Sequence, residues 1–323
     1  RKEVARRRWG RRSPMTLAGA LGVLSFGAVR LPPISRRATL LGFGASQAGS
    51  LLPAAAAGEQ QTLRSILDAT RGSPDGTRFS TSLIARPSYG LETPDVFYPP
   101  WVYGKWKVAS TLTSVQAPMG PELFAPRRNG TAALLQARTD IGTPLRYEAR
   151  WRYNDDDTVV VDRAFCVESI SRAAMGSSAV DGSVEDGPDH LTMLLTPSGG
   201  KGAVYRADLR VVARRADAQT SPSSFACAET TRQTVVLAPT AAMAGRPQPP
   251  PLVKEVDTIC TYDLVSKDVI KAEQRTATFL VGDAVYTGDQ SFAEQQAVRM
   301  SRRDDGAMLA VDLRHYELTY ERV

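Results

Sequence analysis

The sequence predicts an all-β protein: a single antiparallel barrel of about 8–10 strands, with a short N-terminal helix and long loops. Three observations carry that expectation. From residue 101 onward the apolar residues recur with period two, the repeat of a half-buried strand. No stretch there holds a helical period long enough for a βαβ crossover. The strands also present one apolar and one charged face, which suits an antiparallel sheet over a single core. A sheet of nine or ten such strands must close or fold over to hide its edges.

The elements follow in order. In "EQQTLRSILDATR" (59–71), Leu63, Ile66 and Leu67 share one helical face, and Gly72 stands where a helix would stop. Residues 72–100 are rich in Pro, Gly and Ser and read as an irregular lead-in. In "RYEARWRY", Tyr147, Ala149, Trp151 and Tyr153 face one way and Arg146, Glu148, Arg150 and Arg152 the other. Asn154–Asp157 turns the chain, and "TVVVDRAFCVESI" (158–170) reads as the returning strand. "VYRADLRVVA" alternates through Tyr205, Ala207, Leu209 and Val211. "EVDTICTYDL" alternates through Val256, Thr258, Cys260, Tyr262 and Leu264, broken only by Ile259. "AVRMSRRDDGAMLAVDL" (297–313) reads as a hairpin around Asp305-Gly306, because Gly accepts the positive φ of such turns. Residues 126–142, 173–190 and 240–252 read as long connections within one domain. Asn129-Gly130-Thr131 in the first is a sequon by pattern.

Charge is unevenly placed. The chain has 323 residues and a net charge of +6. Residues 1–57 hold ten basic side chains and one acid. Residues 58–323 therefore keep 30 of the 40 basic and 33 of the 34 acidic residues, a net −3. Nucleic-acid binding needs a basic body, so that class is set aside. No apolar run reaches the 18 or so residues of a membrane span.

The basic excess reads as an address. Met15 is a candidate start, and "MTLAGALGVLSFGAVR" resembles a short signal peptide ending near Ser25-Phe26, as in plastids acquired by secondary endosymbiosis. Arg36-Arg37 then precede a moderately apolar stretch and Ala55-Ala56-Ala57. That order is the one found in a cleavable, twin-arginine-like export signal. The expected organisation is a cleaved leader over 1–57, a helix and irregular lead-in over 58–97, and a β-barrel over 98–323. The expected destination is the thylakoid lumen of a plastid (chloroplast).

Few residues carry chemistry. His190 and His315 are the only histidines and have no Cys or carboxylate cluster in sequence, so no metal is expected. Gly199-Gly200-Lys201-Gly202 lacks the spacing and the Ser/Thr of a P-loop. No Gly-x-Ser-x-Gly elbow occurs, and Asp155-Asp156-Asp157 lacks the ligand spacing of a calcium loop. Cys166, Cys227 and Cys260 read as buried or half-buried strand cysteines, with one disulfide and a leftover thiol as the alternative. Asp162 and Arg163 follow a Val run and read as a rim ion pair.

Gly104-Lys105-Trp106 resembles the Gly-x-Trp that opens lipocalin-type (calycin-like) barrels. The resemblance implies that Trp106 closes one end beneath a basic residue of a late strand, for which Arg314 is the candidate. Trp106, Tyr147, Trp151, Tyr153 and Arg314 are then the candidate ligand-binding residues. A wider resemblance rests on "FYPPWVYGKWKVASTLTSVQAPMGPELF", "VVVDRAFCVESISRAAMG" and "PPPLVKEVDTICTYDLV". Together they are similar to an uncharacterised family of cyanobacteria and plastids, a domain of unknown function, over about residues 95–322. That pattern has Asn where this chain has Cys166. It implies a plastid location and one β domain, and no catalytic residue can be carried over from it.

The function expected on these grounds is non-catalytic and needs no cofactor. The barrel would bind an apolar or pigment-like small molecule or assist assembly of a photosynthetic complex. The alternatives are an interaction module that docks on a photosystem or other thylakoid membrane complex with its barrel filled, and a lipocalin-like enzyme acting on a lipid or carotenoid, with Asp162 as its acid/base candidate.

Overall fold

The computed structural model describes residues 61–71, 79–91, 93–125, 129–185, 187–196, 204–219, 221–238, 251–281 and 292–323. The leader expected over 1–57, the 199–202 turn and most of the 240–252 connection lie outside them.

Ten strands make one sheet: β1 (Gly104–Gln116), β2 (Pro144–Tyr153), β3 (Val159–Val161), β4 (Val180–Glu185), β5 (His190–Leu195), β6 (Tyr205–Ala216), β7 (Ser224–Leu237), β8 (Leu252–Ser266), β9 (Val269–Leu280) and β10 (Asp312–Arg322). All ladders are antiparallel, in the order β3-β2-β1-β10-β9-β8-β7-β6-β5-β4, and the sheet curls into a half-barrel. The fold is all-β and barrel-like, as the period-two pattern predicts.

The two ends of this sheet, β3 and β4, are consecutive in sequence. A helix joins them. Where the sequence suggests one strand through 158–170, the structure has three strand residues and then α5 (Arg163–Met175). Asp162 is the N-cap, its carboxylate accepting the Phe165 N–H at 3.1 Å, and Gly176 ends the helix at φ 105°. α5 packs on β2 and on β4. It touches strands on two sides, so it shows no single apolar stripe, and period analysis does not find it.

The helix also satisfies the edge it covers. Only Trp151–Tyr153 of β2 pair with β3. Below them, the Glu148 N–H donates to Ser169 Oγ at 2.9 Å and the Arg150 N–H to Cys166 Sγ at 3.3 Å. On the β4 side, Ser183 Oγ donates to the Glu168 carboxylate. Outside, Phe165 lies beneath the Arg150 guanidinium (4.4 Å) and Lys105 Nζ (5.6 Å). Side chains thus stand in for the missing ladder partners of a sheet edge.

One end of the half-barrel is an aromatic plug. Trp106, Trp151, Phe225, Tyr262 and Tyr320 are buried there with Tyr98 among them, and centroid spacings run from 5.3 to 6.3 Å. Trp106 is fully buried and its Nε1–H donates to the Val102 carbonyl at 2.8 Å. The basic residue over its ring is Arg322, at 4.2 Å. The expectation of Arg314 in that role is corrected. The β1–β10 register sets Trp106 opposite Arg322 and Val115 opposite Arg314, so Arg314 sits at the far end of the barrel. There it pairs with Asp312 at 2.7 Å and lies 5.5 Å from the Phe124 ring.

The convex face is covered by the lead-in. α1 (Leu63–Thr70), N-capped by Thr62, buries Leu63 and Leu67 against Ala228 of β7 and Ile259 of β8. Ile259 breaks the alternation of its strand because both faces of β8 are buried at that point. α2 (Thr81–Ile84) sets Ile84 against Phe279 and Leu313. Between these apolar contacts lie buried ions. Glu255 accepts from Arg86 and Arg232, Asp257 accepts from Tyr89 and Thr230, and Arg275 donates to the Leu83 carbonyl. His315 lies in the same layer with 3% of its surface exposed, and burial, then Arg275 and Arg71, pull its pKa down to about 4.

Three connections carry more structure than their composition suggests. Residues 126–142 contain α4 (Gly130–Arg138), and the sequon's Asn129 is its N-cap, accepting the Ala132 N–H at 3.0 Å. With α3 (Pro121–Phe124) it covers the strand ends opposite the plug. Residues 173–190 contain β4. Residues 297–313 are not a hairpin of two strands: α6 (Phe292–Met300) precedes a tight turn at Gly306 (φ 83°), closed by a single Arg302–Met308 bridge.

Two measurements check this architecture. Trp106→Ala is expected to cost roughly 3–5 kcal/mol in chemical denaturation, whereas Arg322→Gln should cost about 1 kcal/mol or less because the cation–π contact is at the rim. His315 has a folded pKa depressed below its unfolded value of 6.5. Its stabilising contribution is therefore present above pH 6.5 and lost as the pH falls through 6.5 towards 4. The wild type should lose on the order of 3 kcal/mol more than His315→Gln between pH 7 and pH 4. Parallel pH dependence of the two proteins would show that His315 is not held neutral by the fold.

Candidate functional site

The concave face is not filled throughout. Between α5 and strands β5–β9 lies a cavity of about 130 Å³, lined by Tyr98, Arg163, Asp189, Cys227, Glu229, Thr231, Thr258, Cys260, Tyr262 and Gln274, among others. It adjoins the aromatic plug through Tyr98 and Tyr262, whose rings stand 6.0 Å apart at 80°. Its other wall is polar.

Arg163 anchors that polar wall. The helix start at Asp162 sends the next side chain inward. Arg163 Nη1 and Nη2 donate to the two Glu229 oxygens, both at 2.7 Å, and Nη2 also donates to Asp95 at 2.7 Å. Burial opposes the charge on Arg163, but Glu229 and then Asp95 overcome it and hold its pKa above the ordinary value. Behind them Arg214, 2% exposed, has its Nε 3.8 Å from Glu229 and donates to the Thr93 and Pro94 carbonyls. A close bidentate Arg–carboxylate pair of this kind is a rigid wall, and its buried partners make it costly to break.

The expected Asp162–Arg163 pair does not form. Adjacent side chains at a helix start diverge: Asp162 caps the helix and accepts from Arg150 Nη2 at 2.6 Å, while Arg163 turns to β7 and the lead-in. Of the other expected site residues, Trp106 and Trp151 belong to the packed plug. Tyr147 is half-buried against it, and burial, then Cys166 and Cys260, push its phenol pKa up. Tyr153 is exposed and stacks on Tyr103 at 4.6 Å. None of these four, nor Arg314, lines the cavity. Asp189, Glu229, Thr231, Thr258 and Gln274 are lining residues that no motif marks. Thr258 lies on a strand already read as alternating, whereas Glu229, Thr231 and Gln274 lie on strands the sequence reading did not single out and Asp189 in a stretch read as a connection.

The three cysteines are free thiols. Cys227 and Cys260 lie directly opposite each other on β7 and β8 and both line the cavity, whereas Cys166 is on α5 rather than on a strand. Burial pushes the Cys260 and Cys166 thiols up to about 12, and Cys227 well above the ordinary value. Protonated thiols are poor nucleophiles; Cys227 and Cys260 line the cavity, and Cys166 does not. At the far end of the interior, Lys254 is buried near Asp312 and Arg314, and burial pulls its pKa down to about 7.

The sequence profile of a domain of unknown function, DUF6816, matches residues 90–305. The chain belongs to the DUF6816 family. No curated protein and no solved structure matches it. In this DUF6816 domain, the matched span covers the cavity wall from Tyr98 to Gln274. The covering helix α1 and the central strand β10 lie outside it.

The Arg163 cluster gives a direct test. Arg163→Met is expected to destabilise by on the order of 3–5 kcal/mol, because Glu229 and Asp95 are left buried without their cation. Arg150→Met, at a site half exposed, should cost about 1 kcal/mol or less. Equal losses in urea titration would show that the cluster is no more than a surface ion pair.

Proposed function

We propose that this DUF6816 domain is a non-catalytic binding barrel of the thylakoid lumen, and that its interior cavity holds a small molecule. The observation that supports this is the division of the concave face into a packed aromatic plug and a half-polar cavity of about 130 Å³. A pocket for a pigment-sized molecule would be several times larger, roughly 300–1,000 Å³. The ligand is therefore a molecule of a few heavy atoms rather than a pigment or carotenoid. Benzene fills an apolar cavity of about 150 Å³, which sets the scale. The lumenal address rests on the leader sequence alone.

A second reading is docking on a thylakoid membrane complex during its assembly. It draws on the exposed Tyr103–Tyr153 stack and the exposed Val265 at the turn between β8 and β9. No helix among the described residues is long and apolar enough to cross a membrane; the contact this reading proposes is with a protein partner at the membrane.

Native mass spectrometry of the protein isolated gently from its source separates the two. A reproducible small adduct, lost on unfolding and lost in a cavity-filling Thr231→Leu variant, supports the binding reading. A bare mass, or a mass carrying a membrane-complex subunit, overturns it in favour of docking.

A further inference from the structure

Of the two carboxylates that line the cavity, Glu229 and Asp189, only Glu229 is bonded to a buried cation. Strand β6 points Leu209 and Val211 inward, and Arg206, Asp208 and Arg210 to the convex face. His190, opposite Arg210, has its ring on that outer side too, with Nε2 3.0 Å from Asp208. Arg206 lies 3.2 Å from the same carboxylate. His190 also borders the cavity, but its Nε2 and Arg206 are engaged by Asp208 on the outer side. Inside, Arg163 is shared by Glu229 and Asp95, and Arg214 stands behind Glu229, so two cations face two anions.

Asp189 remains. Its carbonyl accepts the Val211 N–H at 2.8 Å, which extends the β5–β6 ladder one residue past His190. Period two then sets Asp189 on the face of Leu191, Met193 and Val211, the inward one. It lines the cavity at the mouth, half exposed, and among the described residues no side-chain or backbone donor is bonded to its carboxylate. The same lining offers the two nearly perpendicular rings of Tyr98 and Tyr262. A carboxylate at the mouth and aromatic rings within are the two elements that recognise an organic cation.

We infer that the cavity takes a small organic ammonium ion, a primary amine of about five or six heavy atoms. Its charged nitrogen pairs with Asp189, and its carbon body lies against Tyr98, Tyr262 and Cys260. Thr231, Thr258 and Gln274 supply oxygens for the remaining N–H groups. The inference rests on the binding reading above and names the ligand class for the same cavity. An anion is disfavoured there because Glu229 and Asp189 both line the space, and the lining cation Arg163 is already engaged by two carboxylates.

Three probes of one length and three charges test it: n-butylammonium, 1-butanol and butyrate, titrated into the purified protein and followed by amide chemical shifts and calorimetry. Butylammonium is expected to bind at least about tenfold more tightly than 1-butanol, a difference of about 1.4 kcal/mol, with shifts confined to the cavity. Asp189→Asn, a rim substitution outside the core, should bring the two to equal affinity while leaving 1-butanol unchanged. If 1-butanol or butyrate binds as well as the amine, or if Asp189→Asn keeps the preference, the cation inference fails and the binding reading stands. If none of the three perturbs the cavity at tens of millimolar, both fail.

Discussion

The whole molecule depends on how a ten-stranded sheet disposes of its two edges. Curling brings β3 and β4 towards each other, yet they do not pair. Helix α5 lies between them, and its Ser169, Cys166 and Glu168 side chains meet the backbone of β2 and the Ser183 hydroxyl of β4. A strand in that place would have completed the ladder. It would also have brought the walls together and removed the cavity. A helix is wider than a strand, about 10 Å across. It keeps the interior open beside its first turn, and that first turn carries Arg163.

Buried charge is used twice, for two ends. On the convex face, Glu255, Asp257 and Arg275 bind the lead-in to the sheet through Arg86, Tyr89 and the Leu83 carbonyl. On the concave face, Arg163 binds the lead-in through Asp95 while its other contacts fix Glu229. Removing any one partner strands another charge away from water, which costs far more than the pair contributes over an apolar replacement. The lead-in is therefore held by specificity as much as by its few apolar contacts, Leu63, Leu67 and Ile84.

Strands β1, β2, β6 and β8 were legible because their faces differ. Ala149 and Trp151, or Tyr262, alternate with polar neighbours, and the sheet buries them as that alternation requires. Alternation fails where an element is covered on both faces. Ile259 is one such place, and α5 is another. Register was not legible at all: a basic residue on the last strand could be paired with Trp106 only by choosing between Arg314 and Arg322, and period two does not count ladder positions. The Arg163 cluster was hidden for a different reason. Its partners Asp95 and Glu229 are 68 and 66 residues away in sequence, and only the folded sheet brings them together.

The strand order has a consequence for the order of events in folding. β1 pairs with β10, so the first and last strands of the sheet in chain order are neighbours within it. While the chain is being made, β1 to β3 form a small three-stranded piece with an open flank, and β4 to β9 form a second piece joined to it only through α5. Neither piece has its partner until β10 inserts between β1 and β9. Contacts of such long sequence separation form slowly, and until they form the aromatic residues of the plug are divided between two incomplete sheets. A chain with this topology therefore stays open until β10 has been made and closes when that strand inserts.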